Sequence, residues 1–216
     1  MRIWLDTADI KEIREASRLG VVSGVTTNPS LAAKAGHSDL KSAVLEICSI
    51  IDGPVCAEVL SQDPYEMIHE GRRIASWAPK VVVKIPVGEA GIEAISVLSK
   101  EGIAVNQTLT FSVNQAILGG LAGAAYVSPF VGRLDDVGQD GMKLVSEIVE
   151  VFNTHDIRTK VLAASLRHPM HVVEAARVGA HIATMPYKVL KQMFHHPLTD
   201  AGLKKFMEDW RSLARV

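Results

Sequence analysis

Short runs of apolar residues recur along the chain, and each is followed by a longer segment in which apolar positions repeat every three or four residues. The short runs are rich in β-branched residues and end in a polar residue, which is typical of strands buried on both faces of a parallel sheet. The longer segments have the spacing of amphipathic helices. Eight strands are predicted in this way, at residues 3–6, 22–27, 54–59, 81–86, 103–108, 124–129, 160–165 and 181–186.

The predicted helices are bounded by residues that favour helix ends. Asp63 with Glu66, and Ser112 with Gln115, have the spacing of capping boxes at helix N-termini. Glycine adopts the left-handed conformation of a C-terminal cap at little cost. The glycines that stand where helices should stop are Gly20, Gly53, Gly102, Gly123 and Gly179.

Eight strand–helix units in 216 residues fit a compact (β/α)8 TIM barrel. We expect one domain over residues 1–216, with residues 199–216 forming an extra C-terminal helix. The alternative is an open, doubly wound sheet of eight strands. The barrel is favoured because no G-x-G-x-x-G motif follows the first strand. Polar residues also recur at the ends of all the strands, where a barrel collects its active site.

Composition limits the function classes. The formal net charge is −1 with 48% hydrophobic and 22% charged residues, which argues against disorder and against a broad nucleic-acid footprint. The two cysteines, Cys48 and Cys56, form no disulfide-rich or zinc-finger pattern, and the N-terminus becomes charged too early for a secretory signal. The apolar run at 116–127 is too short to span a membrane. We therefore expect a cytoplasmic protein with neither nucleic acid nor membrane as its partner.

Lys84 is the most informative residue at the predicted mouth. It interrupts the apolar run VVVKIPV, where an unpaired ammonium would cost several kcal/mol. A lysine in such a place is either paired or has a lowered pKa, and a neutral lysine amine attacks ketones to form a Schiff base. The alternative is a lysine at the end of a strand whose ammonium extends to solvent.

Two carboxylates end strands near Lys84. Glu58 ends the preceding strand, so it either relays protons during imine chemistry or forms a structural ion pair with the lysine. Asp6 ends the first strand and either accepts a hydroxyl proton during carbon–carbon cleavage or caps the following helix.

The other strand ends carry groups suited to a small polar ligand. Asn28, in GVTTNPS, either binds a sugar hydroxyl or holds its own turn. Arg133, Ser165 and Arg167 follow the sixth and seventh strands, where they form a phosphate site or surface salt bridges. The His168/His171 pair lacks the other ligands of a zinc motif, so no metal site is predicted. The remaining polar strand-end candidates are Thr26, Thr27, Asn106, Thr108, Ser128 and Thr184.

Over nearly its whole length the chain resembles the transaldolase family, in particular the short single-domain branch. The matching motifs occur in the same order: LDTA (5–8), GVTTNPS (24–30), AEV (57–59), VVKIPV (82–87), NQTLTFS (106–112), YVSPFVGRLDD (126–136), AASLRHP (163–169) and HPLTD (196–200).

The resemblance implies a (β/α)8 barrel that uses a lysine Schiff base and no cofactor. Lys84 then corresponds to the Schiff-base lysine, Glu58 and Asp6 to the acid–base carboxylates, and Thr108 to the threonine that holds a catalytic water. Asn28, Asn106 and Ser128 correspond to residues around the dihydroxyacetone unit. Arg133, Ser165 and Arg167 correspond to the phosphate site.

The family also contains fructose 6-phosphate aldolases, which carry glutamine where this chain has Glu58 and tyrosine where it has Phe130. A tyrosine hydroxyl can help activate water to protonate the enamine, and phenylalanine has no such group. Glu58 and Phe130 therefore predict a transaldolase that moves a dihydroxyacetone unit between sugar phosphates.

Two other functions remain as alternatives to a transaldolase. One is an aldolase that releases free dihydroxyacetone, and the other is a barrel that binds a phosphosugar without turnover. The resemblance also implies a homo-oligomer, a pentamer or decamer, which agrees with the apolar stripe Phe206, Met207, Trp210 and Leu213 on the last helix.

Overall fold

The fold is a closed barrel of eight parallel strands surrounded by helices. A computed structural model describes residues 1–213. The strands are β1 (Arg2–Asp6), β2 (Val22–Thr26), β3 (Val55–Glu58), β4 (Val81–Pro86), β5 (Val105–Thr110), β6 (Tyr126–Pro129), β7 (Lys160–Ala163) and β8 (Ile182–Met185). Each strand pairs with its neighbours in chain order, and β8 pairs with β1 to close the barrel. The predicted (β/α)8 barrel is confirmed and the open sheet is excluded.

Helices follow every strand. Within residues 1–213 they are α1 (Ile10–Ser17), α2 (Pro29–Lys34), α3 (Leu40–Ile50), α4 (Pro64–Ala75), α5 (Glu89–Lys100), α6 (Val113–Leu121), α7 (Val131–Asp135), α8 (Gly141–Thr154), α9 (Pro169–Arg177), α10 (Tyr187–Gln192) and α11 (Pro197–Leu213). The short helices α2, α7 and α10 were not predicted, and each begins two or three residues after a strand ends at the mouth of the barrel. The predicted C-terminal helix begins at Pro197, two residues early, and its residues 214–216 lie outside the described part. No helix within residues 1–213 has the length and hydropathy needed to cross a membrane.

Strands β5 and β6 begin two residues later than the sequence pattern predicts. The backbone N–H of Ile103 donates to the carbonyl of Leu98 at 3.0 Å, and that of Ala124 donates to Gly119 at 3.0 Å. These bonds close the C-terminal ends of the preceding helices. Both apolar residues therefore belong to helix caps and not to the strands.

The predicted helix caps are mostly confirmed. Asp63 and Ser112 accept the N–H groups of Glu66 and Gln115. The return bond of the capping box is not made at Ser112, because Gln115 Oε1 accepts the N–H of Phe111 instead. Four of the five glycines have positive φ, as predicted: Gly20, Gly102, Gly123 and Gly179.

Gly53 is the exception to the predicted pattern, because its φ lies outside the left-handed region. A Cβ atom built on this residue would lie 2.1 Å from the carbonyl oxygen of Ser23. The position therefore requires glycine because β2 passes close to it.

The barrel has two apolar layers. A large cluster lies between the strands and the helices, and a smaller one fills the barrel interior. The interior cluster includes Trp4, Cys56, Val82, Leu162 and Ile182. Side chains on a strand alternate between faces, so the residue two positions later points the same way. The polar strand-end residues therefore lie directly above this apolar plug.

Candidate active site

Lys84 lies at the centre of the mouth and is 4% exposed. Its Nζ atom is 3.0 Å from Oε2 of Glu58 and 3.3 Å from the carbonyl oxygen of Thr27. The alternative in which the ammonium extends to solvent is therefore excluded. The carboxylate and the carbonyl compensate the buried charge of this ammonium. Transfer of one proton from Nζ to Glu58 would give the neutral amine.

Glu58 is the register partner of Lys84 on β3. Its side chain is 14% exposed. It also lines a second cavity of about 470 Å³ between the loops that follow β3 and β4. The carboxylate thus has the lysine on one side and space for water on the other.

Thr108 is the third residue of the acid–base set implied by the resemblance. It lies on β5, in register with Pro86 of β4. Its Oγ1 is buried, and within residues 1–213 it has no hydrogen-bond partner. A buried hydroxyl without a partner is costly, so this group is available to a water or a ligand.

Asp6 lies at the end of β1, where Thr26 contacts its carboxylate and Thr184 in turn contacts Thr26. Thr26 Oγ1 donates to Asp6 Oδ1 at 2.7 Å, and Thr184 Oγ1 lies 2.7 Å from Thr26 Oγ1. Since each hydroxyl has one proton, Thr184 is the donor in the second contact. Burial raises the pKa of the Asp6 carboxyl above its ordinary value, and the Lys84 ammonium opposes that rise.

The alternative role of Asp6 as a helix cap is excluded. Asp9 caps α1 instead, because its Oδ1 accepts the N–H groups of Lys11 and Glu12. Asp6 thus points into the barrel mouth and takes no part in the helix end. Thr184, a strand-end candidate to which the sequence assigned no role, lines the same cavity.

Asn106 and Ser128 form a second fixed group. Ser128 Oγ donates to Asn106 Oδ1 at 2.8 Å, and Asn106 Nδ2 donates to the Cys56 sulfur at 3.5 Å. Asn106 is also the register partner of Lys84 on β5. Burial raises the pKa of the Cys56 thiol to about 12, so that sulfur is a neutral acceptor that fixes the amide.

Asn28 combines its two predicted roles in one side chain. Its Oδ1 accepts the N–H of Leu31 at 2.9 Å and caps α2. The residue also lines the cavity beside Lys84. The cap leaves the two donors of its side-chain amide for a ligand.

The predicted phosphate site is only partly assembled. Arg133 and Ser165 line the cavity. The Arg133 guanidinium lies 5.2 Å from the ring centroid of Phe130. Ser165 has φ of +59°, which is strained for a residue with a side chain. Its carbonyl accepts the N–H of Gly132 at 3.0 Å, which ties this strained residue to α7.

Arg167 does not line the cavity. Its guanidinium donates to Asp136 at 2.7 Å, and both side chains are about half exposed. Its backbone N–H donates to Nδ1 of His171. Arg167 thus forms the surface salt bridge that was the alternative to a phosphate site. Arg133 does not, because no carboxylate among residues 1–213 lies within 4.0 Å of it.

A cavity of about 100 Å³ lies at the C-terminal end of the barrel, and Glu58, Asn106, Thr108 and Arg167 are not among the residues that line it. It has an amine and a carboxylate on one side and a guanidinium on the other. This polarity suits a small carbonyl compound with an anionic end. The lining residues are Asp6, Thr26, Asn28, Lys84, Ser128, Phe130, Arg133, Ala164, Ser165 and Thr184.

Solved structures with similar folds confirm the barrel architecture. A mandelate oxidase variant carrying a monooxide FMN adduct superposes with a TM-score of 0.58 at 14% identity, covering 86% of this chain and 64% of that chain. A second mandelate oxidase structure, with 4-Br-2-hydroxy-methylphenylacetate, matches equally well. At this identity the likeness extends to the fold alone.

Sequence relatives are far closer. A probable transaldolase of Dehalococcoides mccartyi is 59% identical over 100% of both chains. A probable transaldolase of Thermoanaerobacter sp. is 57% identical over 98% of this chain and 97% of the relative. The model of the family described as Transaldolase/Fructose-6-phosphate aldolase matches residues 3–216. The chain therefore belongs to the transaldolase/fructose-6-phosphate aldolase family.

Proposed function

We propose that this protein is a transaldolase that transfers a dihydroxyacetone unit through a Schiff base on Lys84. The observation that carries the proposal is the 3.0 Å contact between Lys84 Nζ and Glu58 Oε2 at the floor of the mouth. It supplies a nucleophile and a proton acceptor in one place. The donor is a ketose phosphate, fructose 6-phosphate or sedoheptulose 7-phosphate, and the acceptor is an aldose phosphate.

The first step forms the imine. Transfer of one ammonium proton to Glu58 frees the amine, which attacks the C2 carbonyl of the ketose and gives a carbinolamine. Glu58 then returns a proton through a water held by Thr108, and the carbinolamine loses water to become an iminium ion. Two observations support this role: the Thr108 hydroxyl has no partner within residues 1–213, and a cavity lies beside Glu58.

The second step cleaves the C3–C4 bond. Asp6 accepts the C4 hydroxyl proton, and the electron pair of the breaking bond moves through the iminium to its nitrogen. This leaves an enamine of dihydroxyacetone on Lys84 and releases glyceraldehyde 3-phosphate. Thr26 and Thr184 hold the Asp6 carboxylate in place.

The third step reverses these events on a new aldehyde. The enamine carbon attacks C1 of erythrose 4-phosphate, Asp6 returns its proton to the new alkoxide, and water hydrolyses the imine. Asn28, Asn106 and Ser128 hold the dihydroxyacetone hydroxyls, and Arg133 with Ser165 holds the aldose phosphate. Arg167 joins that phosphate if its guanidinium exchanges Asp136 for the substrate.

Phe130 decides the fate of the enamine in this proposal. It lines the cavity and packs edge-on against Phe111 with ring centroids 5.9 Å apart. An apolar wall without a hydroxyl offers no group that activates water to protonate the enamine. The intermediate therefore persists until an aldehyde arrives.

The test is release of glyceraldehyde 3-phosphate from fructose 6-phosphate, with and without erythrose 4-phosphate. Release that depends on the acceptor is expected. Equal release without the acceptor would identify a fructose 6-phosphate aldolase. If no release occurs and borohydride traps no ketose on Lys84, the barrel that binds a phosphosugar without turnover is the alternative that remains.

The expected cellular location and oligomeric state follow from the proposed reaction and from helix α11. We place the reaction in the carbohydrate metabolism of the cytoplasm, in the pentose phosphate pathway, and expect a homo-oligomer. Helix α11 has no buried residue and exposes Leu203, Phe206 and Trp210. An apolar stripe of this kind is suited to a contact between copies of the chain, which sedimentation would measure.

A further inference from the structure

The two halves of the N-terminal rim of the barrel differ in their residues. Strands β2, β3, β4 and β5 all begin with valine. Strands β6, β7 and β1 begin with Tyr126, Lys160 and Arg2, and His181 directly precedes β8. Because these four strands are consecutive in the closed barrel, their first residues meet on one side of the rim, opposite the candidate active site.

A cavity of about 400 Å³ opens at this half of the rim. Its volume is four times that of the candidate active site and lies in the range of small-molecule sites. Trp4 and Tyr126 form its aromatic part, with ring centroids 5.3 Å apart in an edge-on arrangement. The first turn after α9 and the start of β8 complete its wall.

The charges around the cavity have one sign. Arg2 and Lys160 line it with positive charge, His181 lines it with an imidazole, and no aspartate or glutamate of residues 1–213 lines it. Within residues 1–213, neither Arg2 nor Lys160 has a carboxylate within 4.0 Å. The Lys160 ammonium instead lies 5.9 Å from the Tyr126 ring centroid. Like charges gathered in a concavity without counter-charge favour an anion.

The third basic residue presents a donor in its neutral state. His181 Nδ1 accepts the backbone N–H of Val161 at 3.2 Å. The proton of the neutral ring is therefore on Nε2. Burial and the neighbouring Lys160 lower the pKa of His181, which keeps this donor neutral near pH 7.

We propose that this half of the rim is a second ligand site, which binds a phosphate group between Arg2, Lys160 and His181. A guanidinium, an ammonium and an imidazole N–H provide charge-assisted donors for phosphate oxygens. The Tyr126 ring provides an apolar surface for the organic part of a phosphate ester. The site lies at the opposite end of the barrel from Lys84 and does not depend on the proposed transaldolase activity.

Binding is tested where the mouth cannot contribute. In an Arg133→Gln/Arg167→Gln background, equilibrium dialysis with radiolabelled inorganic phosphate should show one saturable site per chain. Adding Arg2→Gln and Lys160→Gln should weaken it by about tenfold or more, as expected for the loss of two charge-assisted contacts. Adding Lys143→Gln, an exposed lysine on α8, should leave it unchanged. No saturable binding in the background variant, or equal binding after removal of Arg2 and Lys160, would overturn the proposal.

Phenyl phosphate distinguishes the two sources of the phosphate group. Tighter binding than inorganic phosphate would identify an organic ester that covers Tyr126, and equal affinity would identify free phosphate. A second measurement uses the unaltered chain, so that it does not depend on variant folding. Saturating phosphate should slow acetylation of Lys160 at least about threefold and leave that of Lys143 unchanged, as followed by peptide mass spectrometry. An unprotected Lys160 would contradict the site.

Discussion

The Nζ atom of Lys84 lies 3.0 Å from Oε2 of Glu58, and the two residues are register partners on adjacent strands. Removing both ions from water costs several kcal/mol each, and their attraction repays that cost only with good geometry. The pair is therefore a costly way to stabilise a barrel. The pair lies at the mouth, and the buried Thr108 hydroxyl on the adjoining strand β5 has no partner within residues 1–213; this is what a reaction that exchanges protons with an amine needs.

Replacement of Lys84 by methionine should abolish imine formation. The methionine side chain has similar volume but no amine, so turnover should fall by at least about 10³-fold, as for other enzymes that lose their nucleophile. Borohydride reduction in the presence of fructose 6-phosphate should leave the variant unlabelled, as measured by intact mass. Lys34→Met, at an exposed site on α2, is the control and should label normally. A Lys84→Met protein that folds and still turns over the substrate would refute the mechanism.

The Phe130→Tyr substitution should allow the enamine to be protonated and released without an aldehyde acceptor. Phe130 lines the cavity beside Arg133, so a hydroxyl there would meet the intermediate and help water to protonate it. Glyceraldehyde 3-phosphate release without acceptor should rise about tenfold or more over the parent.

The matched control is Phe111→Tyr. Phe111 packs on Phe130 but does not line the cavity. This substitution adds a hydroxyl nearby without presenting it to the enamine, and the acceptor dependence should stay as it is. If acceptor-independent release of glyceraldehyde 3-phosphate rises in both variants, or in neither, Phe130 does not determine whether the enamine is transferred or released.

The placement of the site residues was predictable because it follows from two regular features of the strands. The strands run in one direction, and the side chains of each strand alternate between its two faces. All eight strands are parallel, so their carboxyl ends meet at one mouth. Lys84 follows Val82 by two residues, and Glu58 follows Cys56 in the same way, so each polar side chain stacks above an apolar one. The pattern of the strands thus predicts both the barrel fold and the end of the barrel at which the cavity lies.

Side-chain partners were less predictable, because they depend on contacts between segments far apart in the chain. The salt bridge of Arg167 joins it to Asp136 at the end of α7, 31 residues earlier in the chain. Gly53 resembles a helix cap, but its role is set by the close approach of Ser23. Neither partner follows from local spacing.

The raised pKa of Asp6 has a consequence for stability. Burial favours the protonated carboxyl in the folded state, so the folded pKa lies above the unfolded one. Such a group contributes stability that is fully present below the unfolded pKa and is lost as pH rises through the folded pKa. At pH values above that folded pKa the ionised Asp6 lowers the free energy of unfolding, and Asp6→Asn should there melt at a higher temperature than the parent.

The pH dependence separates this effect from a general change in packing. The stability gain of Asp6→Asn should shrink as pH falls toward the range in which Asp6 becomes protonated, and transaldolase turnover should be lost at every pH. Thermal unfolding by circular dichroism across the acid range measures the first, and the acceptor-dependent assay measures the second. Asp52→Asn, which alters a fully exposed carboxylate, is the control. A stability difference that is independent of pH would contradict the assignment.

The strained backbone of Ser165 allows its hydroxyl and its conformation to be tested separately. Its φ of +59° costs about 1–2 kcal/mol for a residue with a Cβ atom and little for glycine. Ser165→Ala keeps the strain and removes the hydroxyl, whereas Ser165→Gly removes both. If the hydroxyl binds the substrate phosphate, KM for fructose 6-phosphate should rise several-fold in both variants. The glycine variant should melt higher than the alanine variant by roughly 2–8 °C, which corresponds to that strain in a chain of this size. Equal melting temperatures would contradict the strain at this position, and a KM change confined to the glycine variant would show that the backbone, not the hydroxyl, holds the phosphate.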